Sequence, residues 1–261
     1  MSALVAVTIE ESVATVTLHN SAKMGALSLE AMRQLTSAFA ELGDRQDIHV
    51  VVLASEGKVF SAGHDLSELH GADEAQQREI FDTCTELMLT IQRIAQPVIA
   101  KVHGLATAAG CQLVATCDLA VAGQSARFAT PGVRIGLFCS TPMVALSRAV
   151  PQKVAMRMLL TGDQITAEEA LSHGLVSDVV SDAELDEVVS KLAKHIANAS
   201  AATVSIGKRA FYDQLNLSTP EAYARMSEVM TQNAMTADAQ EGIGAFLEKR
   251  APVWRHHAQE P

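Results

Sequence analysis

The chain has 261 residues, of which 48% are hydrophobic and 19% are charged, and its formal net charge is −10. This composition is typical of a globular protein with one large core and room for a small appended region. The negative charge argues against a general attraction to nucleic acid or to an anionic membrane. The cysteines lack zinc-ligand spacing, and no apolar run is long enough to span a bilayer. We therefore predict no metal site, no nucleic-acid partner and no membrane association.

The predicted elements of the first half alternate between strands and helices. Apolar residues recur at helical spacing from Leu29 to Leu42, whereas residues 50–54 form a continuous apolar run typical of a strand buried on both faces. The elements in chain order are a hairpin (4–10 and 13–18), a helix (29–42), a strand (50–54), a long helix (roughly 73–94), a strand (97–102), a small-residue loop (104–110), a short helix and a strand (near 119–122).

The second half is mostly helical, and the starts of its helices carry capping signals. Two threonines each precede a proline, which is favoured at the first helical position. Three other sites resemble capping boxes. The predicted N-caps are Thr141, Thr219, Thr166 (with Glu169), Ser181 (with Glu184) and Asp238 (with Glu241). The last helix is predicted to end near Arg250. The pattern as a whole predicts an α/β core followed by a C-terminal helical region.

The cysteines and the first residues bear on the cellular location. Most of the cysteines lie in apolar stretches, where a free thiol is usually a small buried hydrophobe; they are Cys84, Cys111, Cys117 and Cys139. Residues 4–10 alternate as a strand does and show neither a signal-peptide pattern nor an Arg-rich presequence. These observations predict reduced cysteines and a cytoplasmic location.

One loop, residues 103–110, has small residues between a predicted strand and a predicted helix. Such a loop exposes backbone N–H groups that an anion or an oxyanion could use. It lacks the glycine spacing of dinucleotide-binding proteins, which disfavours an NAD-dependent dehydrogenase, and the chain contains neither GxxxxGK[ST] nor GxSxG. From this loop alone, a ligand site and a tight turn without a ligand are equally good interpretations.

Two longer segments resolve that choice. Val59-Phe-Ser-Ala-Gly-His-Asp-Leu66, and Pro97-Val-Ile-Ala-Lys-Val-His-Gly104 continued to Asp118, resemble the signature segments of the enoyl-CoA hydratase/isomerase (crotonase) superfamily. Further similar segments follow in the expected order at 128–136, 160–162, 170–176 and 241–250. Within the superfamily, residues 106–118 and 128–142 are most similar to the branch of enoyl-CoA hydratase domain-containing protein 3 sequences. The resemblance covers about residues 5 to 255.

The resemblance implies a fold, an assembly and a ligand. The fold would be a crotonase-like spiral of ββα units over residues 1–200, with a helical trimerisation region over 201–261. The protein would be a homotrimer or a dimer of trimers. Its ligand would be an acyl-CoA thioester, and because CoA is then part of the substrate, we expect no separate cofactor. The reactions of the family are those of lyases and isomerases acting on such thioesters.

By the same resemblance, the backbone N–H groups of His64 and Ala109 would form an oxyanion hole. Negative charge develops on the thioester oxygen when an enolate forms, and two fixed donors stabilise it; one such donor is worth about 3 kcal/mol. The dipole of the helix opened by Ala109 adds a favourable potential. The residues expected to contact CoA are Ala62, His64, Asp65, Leu66, Ser67 and Ala109, together with Phe246 and Lys249 from a neighbouring subunit.

Three of these side chains also have simpler interpretations. Asp65 is better explained as the N-cap of the segment 66–70 than as a group that takes part in chemistry. Lys249 is equally compatible with a solvated lysine at a helix end. The ring of His64 would face solvent, so that only its N–H would matter.

The chain departs from the family at the two glutamates to which hydration is assigned. Their positions are occupied by Gln112, which cannot accept and return a proton, and by Gly132, which has no side chain. General acid–base catalysis is usually worth about 10²–10⁴-fold in rate. The sequence thus leaves two hypotheses open: an enzyme of the enoyl-CoA hydratase type with altered chemistry, or an acyl-CoA-binding protein with little turnover.

Other residues near the signature segments are candidates to replace the glutamates. Each has a structural interpretation that we favour: thiols packed in the core, an N-cap, a solvent-facing carboxylate, or a ring bonded to loop backbone. These candidates are Cys84, Glu86, His103, Cys139, Ser140 and Thr141.

Overall fold

The computed structural model of the chain describes residues 3–255. Its strands are β1 (Val5–Glu10), β2 (Val13–Leu18), β3 (Val50–Ser55), β4 (Val98–Val102), β5 (Leu105–Thr107), β6 (Leu119–Gly123), β7 (Arg127–Ala129), β8 (Ile165–Thr166) and β9 (Asp178–Val180). Its helices are α1 (Leu29–Gly43), α2 (Leu66–Leu69), α3 (Glu74–Arg93), α4 (Ala109–Thr116), α5 (Ser140–Ala149), α6 (Gln152–Thr161), α7 (Ala167–Ser172), α8 (Leu185–Ala197), α9 (Ala201–Gln214), α10 (Thr219–Ala234) and α11 (Ala237–Glu248). Two 3-10 helices span Ser21–Lys23 and Pro131–Ile135.

The strands form two sheets. The larger has the order β1-β2-β3-β4-β6-β9, in which the β1–β2 hairpin is antiparallel and all other pairs are parallel. The smaller has the order β5-β7-β8, and an isolated bridge between Ser61 and Ala106 extends it. Three times the chain passes from the larger sheet to the smaller one and then into a helix. This repeated passage confirms the predicted spiral of ββα units.

The larger sheet is covered on both faces, which explains the continuous apolar runs of its central strands. Alternate residues of β3 point to opposite faces. Val51 and Leu53 belong to the main core with residues of α1 and α3, whereas Val50 and Val52 pack against Leu185 and other residues of α8. The strand predicted at 50–54 is therefore confirmed together with its burial.

The helix caps correct several predictions. The capping box of Thr166 and Glu169 is confirmed. Elsewhere the helix starts one or more residues away from the predicted position: α5 has Cys139 rather than Thr141 as its N-cap, α10 has Ser218 with Glu221, α8 begins only after Glu184, and α11 has Thr236. Asp238 lies in the first turn of α11, where its carboxylate accepts hydrogen bonds from Ser200 Oγ and Arg255 N. The Asp238 side chain, which the local pattern predicts to be an N-cap, is thus engaged by residues that are distant in the sequence.

The C-terminal helices α9 to α11 confirm the predicted helical region within the described residues; residues 256–261 of that prediction lie outside them. The three helices and the residues that connect them expose many large apolar side chains: Phe211, Leu215, Leu217, Tyr223, Met230, Met235, Ile243, Phe246 and Leu247. A buried ion pair helps anchor α9 to the core, since the ammonium group of Lys208 lies 2.8 Å from the carboxylate of Asp118. The division at residue 200 stays a prediction. No helix among residues 3–255 is both long and apolar enough to cross a membrane.

Candidate active site

The segment that contains His64 is held in place by backbone hydrogen bonds to two different neighbours. Ser61 pairs with β5, donating to Leu105 O at 3.1 Å. Two residues later, Gly63 O accepts from Leu27 N at 2.8 Å, and Asp65 N donates to Leu27 O at 3.3 Å. In this parallel bridge the N–H of His64 points away from Leu27. It has no acceptor among residues 3–255.

The second region is the start of α4. Ala108, which precedes the helix, has φ 51° and ψ −118°, a conformation that costs a non-glycine residue about 1–3 kcal/mol. The strand β7 holds it there, because Ala108 N donates to Ala129 O at 2.9 Å. Ala109 is the first helical residue, and its N–H has no acceptor within the described part of the chain. Nothing in the sequence signals this strained alanine.

Two glycines bring these regions together. A Cβ atom on Gly63, where φ is +87°, would lie only 3.1 Å from Ala109 N and 3.0 Å from Thr107 O. A Cβ atom on Gly110 would lie 2.5 Å from Ser61 O. Side chains at either position would separate the two segments. The amide that follows Gly63, that of His64, therefore lies beside the N-terminus of α4, and both amides are unpaired.

The ring of His64 corrects a prediction, because the residue is partly buried and its ring packs on α3 rather than facing solvent. It contacts the ring of Phe81 on α3 edge-on, with 5.5 Å between ring centroids and an interplanar angle of 88°. Its Nε2 atom is closed to solvent and has no hydrogen-bond partner among residues 3–255. Burial lowers the pKa of His64 to about 4, so the ring is neutral at neutral pH. This packing is not predictable from local sequence, because it depends on Phe81, 17 residues further along the chain.

Gln112 and Gly132, at the positions of the family glutamates, lie in closely packed surroundings. Gln112 is buried on α4, and its Oε1 lies 3.9 Å from Cys84 Sγ of α3. Gly132 is buried as well, and a Cβ atom there would lie 2.0 Å from Leu137 O and 2.8 Å from Cys139 Sγ. The volume that a side chain at position 132 would occupy is thus filled by the segment 137–139. This segment holds no carboxylate in place of the missing one.

The remaining thiols and polar candidates have structural roles. All four cysteines are buried and unbonded, as predicted, and burial raises the pKa of both Cys84 and Cys111 to about 12. His103 Nε2 lies 3.0 Å from Gly57 O, and the exposed carboxylate of Glu86 pairs with Arg93 at 3.0 Å. Among residues 3–255, no cluster of histidine, cysteine or acidic residues has the size needed to hold a metal ion.

The residues expected along CoA fall into two groups. Asp65 is the N-cap of α2: its carboxylate accepts from Ser67 N at 3.1 Å and pairs with Lys23 Nζ at 2.6 Å. The hydrogen bond from Lys23 and that from the Ser67 hydroxyl lower the pKa of Asp65. Leu66 and Ser67 are exposed beside it. Phe246 and Lys249, in contrast, are exposed on α11 and at its C-cap, and α11 packs against α9 and α10.

Comparisons with known proteins agree with this architecture. A model of the enoyl-CoA hydratase/isomerase family matches residues 8–257. The chain belongs to this family. It is 50% identical over 250 residues to the Homo sapiens enoyl-CoA hydratase domain-containing protein 3, with 94% of this chain and 82% of the relative covered. The rat protein of the same name is 48% identical over 248 residues, covering 95% of this chain and 83% of the relative. The superfamily and the branch predicted from the sequence are thereby confirmed.

Enzymes and solved structures of the family are also similar. The Escherichia coli K12 2,3-dehydroadipyl-CoA hydratase is 34% identical over 251 residues, which are 94% of this chain and 96% of that enzyme. The crystal structure of a Mycobacterium smegmatis enoyl-CoA hydratase superposes with a TM-score of 0.95 at 45% identity, covering 97% and 99% of the two chains. That of the human enoyl-CoA hydratase domain-containing protein 3 gives 0.93 at 49% identity, covering 97% and 100%.

The names of the relatives correct one prediction. The human and rat proteins are both described as mitochondrial, as is the mouse protein at 47% identity. The cytoplasmic location predicted from the sequence is therefore contradicted. That prediction relied in part on unpaired cysteines, which indicate a reducing compartment without identifying which one.

Proposed function

We propose that this chain binds an acyl-CoA thioester and polarises its carbonyl with the N–H groups of His64 and Ala109, so that an enolate is stabilised. The observation that carries the proposal is the meeting of two unpaired main-chain amides across the Gly63–Ala109 contact. Unpaired buried amides are rare in folded proteins and suit a ligand oxygen. The strain held at Ala108 supports a functional use of this geometry. Membership of the enoyl-CoA hydratase/isomerase family supports the choice of ligand.

The remaining parts of the ligand follow from the same proposal. Ala62 to Ser67, with Asp65 fixed by Lys23, would support the CoA moiety beside the amides. The exposed Phe246 and Lys249 would reach CoA from a neighbouring subunit of a trimer or of a dimer of trimers. The large apolar side chains exposed on α9 to α11 support such an assembly, because patches of this kind usually mark interfaces. CoA is part of the ligand, and the proposal requires no further cofactor.

The amide pair is tested by replacing Ala109 with proline, which removes the N–H while keeping the φ angle of a first helical position; the melting temperature of the variant shows whether α4 keeps its contact with Gly63. Ala201→Pro, at the first position of α9, is the matched control. With butyryl-CoA labelled with ¹³C at the carbonyl, infrared spectroscopy should show a carbonyl stretch lowered on binding to wild type and to A201P, and less lowered on binding to A109P. Calorimetry should give a Kd of about 1 μM or below, about −8 kcal/mol, for wild type. Failure of every acyl-CoA to bind would refute the proposal.

Hydration by this chain is expected to be slow or absent, because neither Gln112 nor Gly132 can transfer a proton. The neighbouring groups do not compensate, since His64 is neutral and the Cys84 thiol is held protonated. Crotonyl-CoA turnover should fall about 10²–10⁴-fold below an ordinary kcat of about 10 s⁻¹. Gln112→Glu should not restore it, since the second carboxylate is still missing. Wild-type turnover on the order of 10 s⁻¹ would contradict this part of the proposal.

A second candidate function is that of an acyl-CoA-binding protein with little or no turnover. It is favoured by the filled volume at Gly132, because the segment 137–139 occupies the space from which a side chain would act. Product analysis after incubation with a series of acyl-CoAs separates the two. Any product formed faster by wild type than by A109P favours the enzyme, whereas tight binding without product favours the binding protein.

A further inference from the structure

Unpaired buried polar atoms are concentrated around the two amides. The side chains of residues 3–255 include five buried nitrogen or oxygen atoms that lack a hydrogen-bond partner. Three of them belong to residues within two positions of His64, Ala109 or Gly132: His64 Nε2, Thr107 Oγ1 and Thr130 Oγ1. A buried polar atom without a partner costs about 1–3 kcal/mol. This concentration indicates that the region meets a polar ligand rather than a plain hydrocarbon.

His64 is the member of this set whose position relative to the ligand is best defined. Its own N–H is one of the two proposed oxyanion donors, so its ring must lie close to the thioester carbonyl. The ring packs on Phe81, and Cys84, one turn further along the same face of α3, contacts Gln112. His64, α3 and Gln112 therefore form one continuous wall beside the amides. The acyl carbons next to the carbonyl would lie along this wall.

The charge of the residues in this wall determines which polar group of an acyl chain can bind beside it. The four residues that face one another in this wall carry no charge: Phe81 and Gln112 are neutral, and the Cys84 thiol and the His64 ring are neutral at neutral pH. Lys23, the cation described in this site, is paired with Asp65. A carboxylate on the acyl chain would be buried without a counter-ion, at a cost of several kcal/mol. A hydroxyl or keto oxygen needs only a neutral partner, and an imidazole can donate to it or accept from it.

We propose that the imidazole of His64 is a specificity-determining residue that hydrogen-bonds a neutral oxygen substituent, a hydroxyl or keto group close to the thioester, on the acyl chain of the bound acyl-CoA. This inference rests on the proposed function, because it requires the thioester carbonyl to lie at the two amides. It goes beyond that function by giving the ring of His64 a role separate from that of its N–H. On binding of the ligand, Nε2 would exchange burial without a partner for a hydrogen bond.

The test measures a ratio of affinities. Calorimetry with 3-hydroxybutyryl-CoA and butyryl-CoA should show wild type binding the hydroxy compound about tenfold more tightly, the effect of one hydrogen bond to a buried group. His64→Phe retains the main-chain N–H and an aromatic ring, and should reduce this ratio to about one. His195→Phe, on the exposed surface of α8, is the matched control and should keep the ratio of wild type. Malonyl-CoA should bind less tightly than butyryl-CoA to wild type.

A measurement on the wild-type protein covers the case in which His64→Phe does not fold. In a ¹⁵N-histidine-labelled sample, saturating 3-hydroxybutyryl-CoA should shift the Nε2 resonance of His64 relative to saturating butyryl-CoA. Equal affinities of wild type for the two ligands, equal Nε2 shifts, or a ratio that survives in H64F would overturn the specificity proposal. A complete lack of binding by both ligands would instead overturn the proposed function, so the two failures are distinguishable.

Discussion

Two buried polar clusters in this chain differ in how completely their atoms are paired. At the base of α9, Asp118 accepts from Tyr212 OH at 2.8 Å, Val98 N at 2.7 Å and Lys208 Nζ at 2.8 Å. Lys208 uses its other two donors on Ile91 O at 2.9 Å and Gln96 O at 2.8 Å. All three donors of the ammonium group are thus engaged. Beside α4, in contrast, His64 Nε2 and Thr107 Oγ1 have no partner in the part of the chain that the structure describes.

The difference separates polar groups that complete the fold from groups that are available to a ligand. The Asp118 cluster joins β4 to α9 and leaves no donor of Lys208 for another molecule. The cluster at α4 holds unpaired amides, a strained residue and orphaned side-chain atoms, each of which reduces stability. Buried polar groups without hydrogen-bond partners usually occur where function requires them. The comparison therefore supports a ligand site at α4 and a structural role for Asp118, although both lie within the signature segment 97–118.

The largest expected effect comes from breaking the paired cluster. Asp118→Ala would leave the ammonium of Lys208 buried without its counter-ion and would remove the acceptor of Tyr212 and of Val98 N. Removing one partner of a buried ion pair typically costs about 3–5 kcal/mol. Urea unfolding should show a loss of that size in the free energy of unfolding.

The control for this prediction is an ion pair that is exposed. Asp186 pairs with Lys101 at 2.6 Å, and its side chain is 84% exposed. Asp186→Ala should therefore cost no more than about 1 kcal/mol. Similar losses in D118A and D186A would show that the Asp118 cluster is not the structural element that we infer.

How far the sequence predicts the fold depends on the length of each element. The strand at 50–54 and the helix at 29–42 are long enough to show their periodicity, and both were predicted to within a residue or two. The smaller sheet was missed, because β5, β7 and β8 have only two or three residues each. So few residues cannot display an alternation of apolar and polar positions. Their pairing is instead determined by the positions of the longer elements that precede them in the chain.

The candidate site shows a similar limit. The positions of His64, Ala109, Gln112 and Gly132 came from the resemblance of short motifs, and the structure places them around α4. Three features were not predictable: the positive φ of Ala108, the burial of the His64 ring and the filling of the volume at Gly132. Each depends on a contact with a distant segment, and an alanine in particular gives no hint of a left-handed conformation. Motifs identify residues, whereas the unpaired state of their atoms appears only in three dimensions.

A change in pH should have an effect of intermediate size on stability, and it tests the contrast between the His64 ring and the Asp118 cluster. The pKa of His64 is lowered to about 4 in the folded chain by burial, from an ordinary value of 6.5. Between these values the unfolded chain binds a proton that the folded chain does not, so stability falls as the pH decreases. The contribution of His64 to this loss is about 2 kcal/mol from about pH 7 to about pH 5. Urea unfolding should show that His64→Phe loses less stability over this interval than wild type by about that amount.

The control for the pH prediction is the exposed residue His195 on α8. His195→Phe should show the same loss of stability as wild type over the interval, because it leaves the ring of His64 in place. A loss in H64F as large as that of wild type would mean that His64 is accessible to protons in the folded chain. The contrast between the unpaired Nε2 atom of His64 and the paired Asp118–Lys208 ion pair would then be lost.

The last of these effects concerns Gly132, where the structure fills the space of a missing side chain. Gly132→Ala places a methyl group 2.0 Å from Leu137 O and 2.8 Å from Cys139 Sγ, so the segment 137–139 must move. Overpacking of this kind costs about 1–3 kcal/mol. Gly207→Ala is the matched control: it lies within α9, nothing lies within 4 Å of its new Cβ, and alanine should stabilise the helix by up to about 1 kcal/mol. The two melting temperatures should move in opposite directions.

If G132A were as stable as wild type, the segment 137–139 would yield readily, and a glutamate at 132 could be accommodated beside α4. Combined with Gln112→Glu, it would then restore the acid–base pair that this chain lacks.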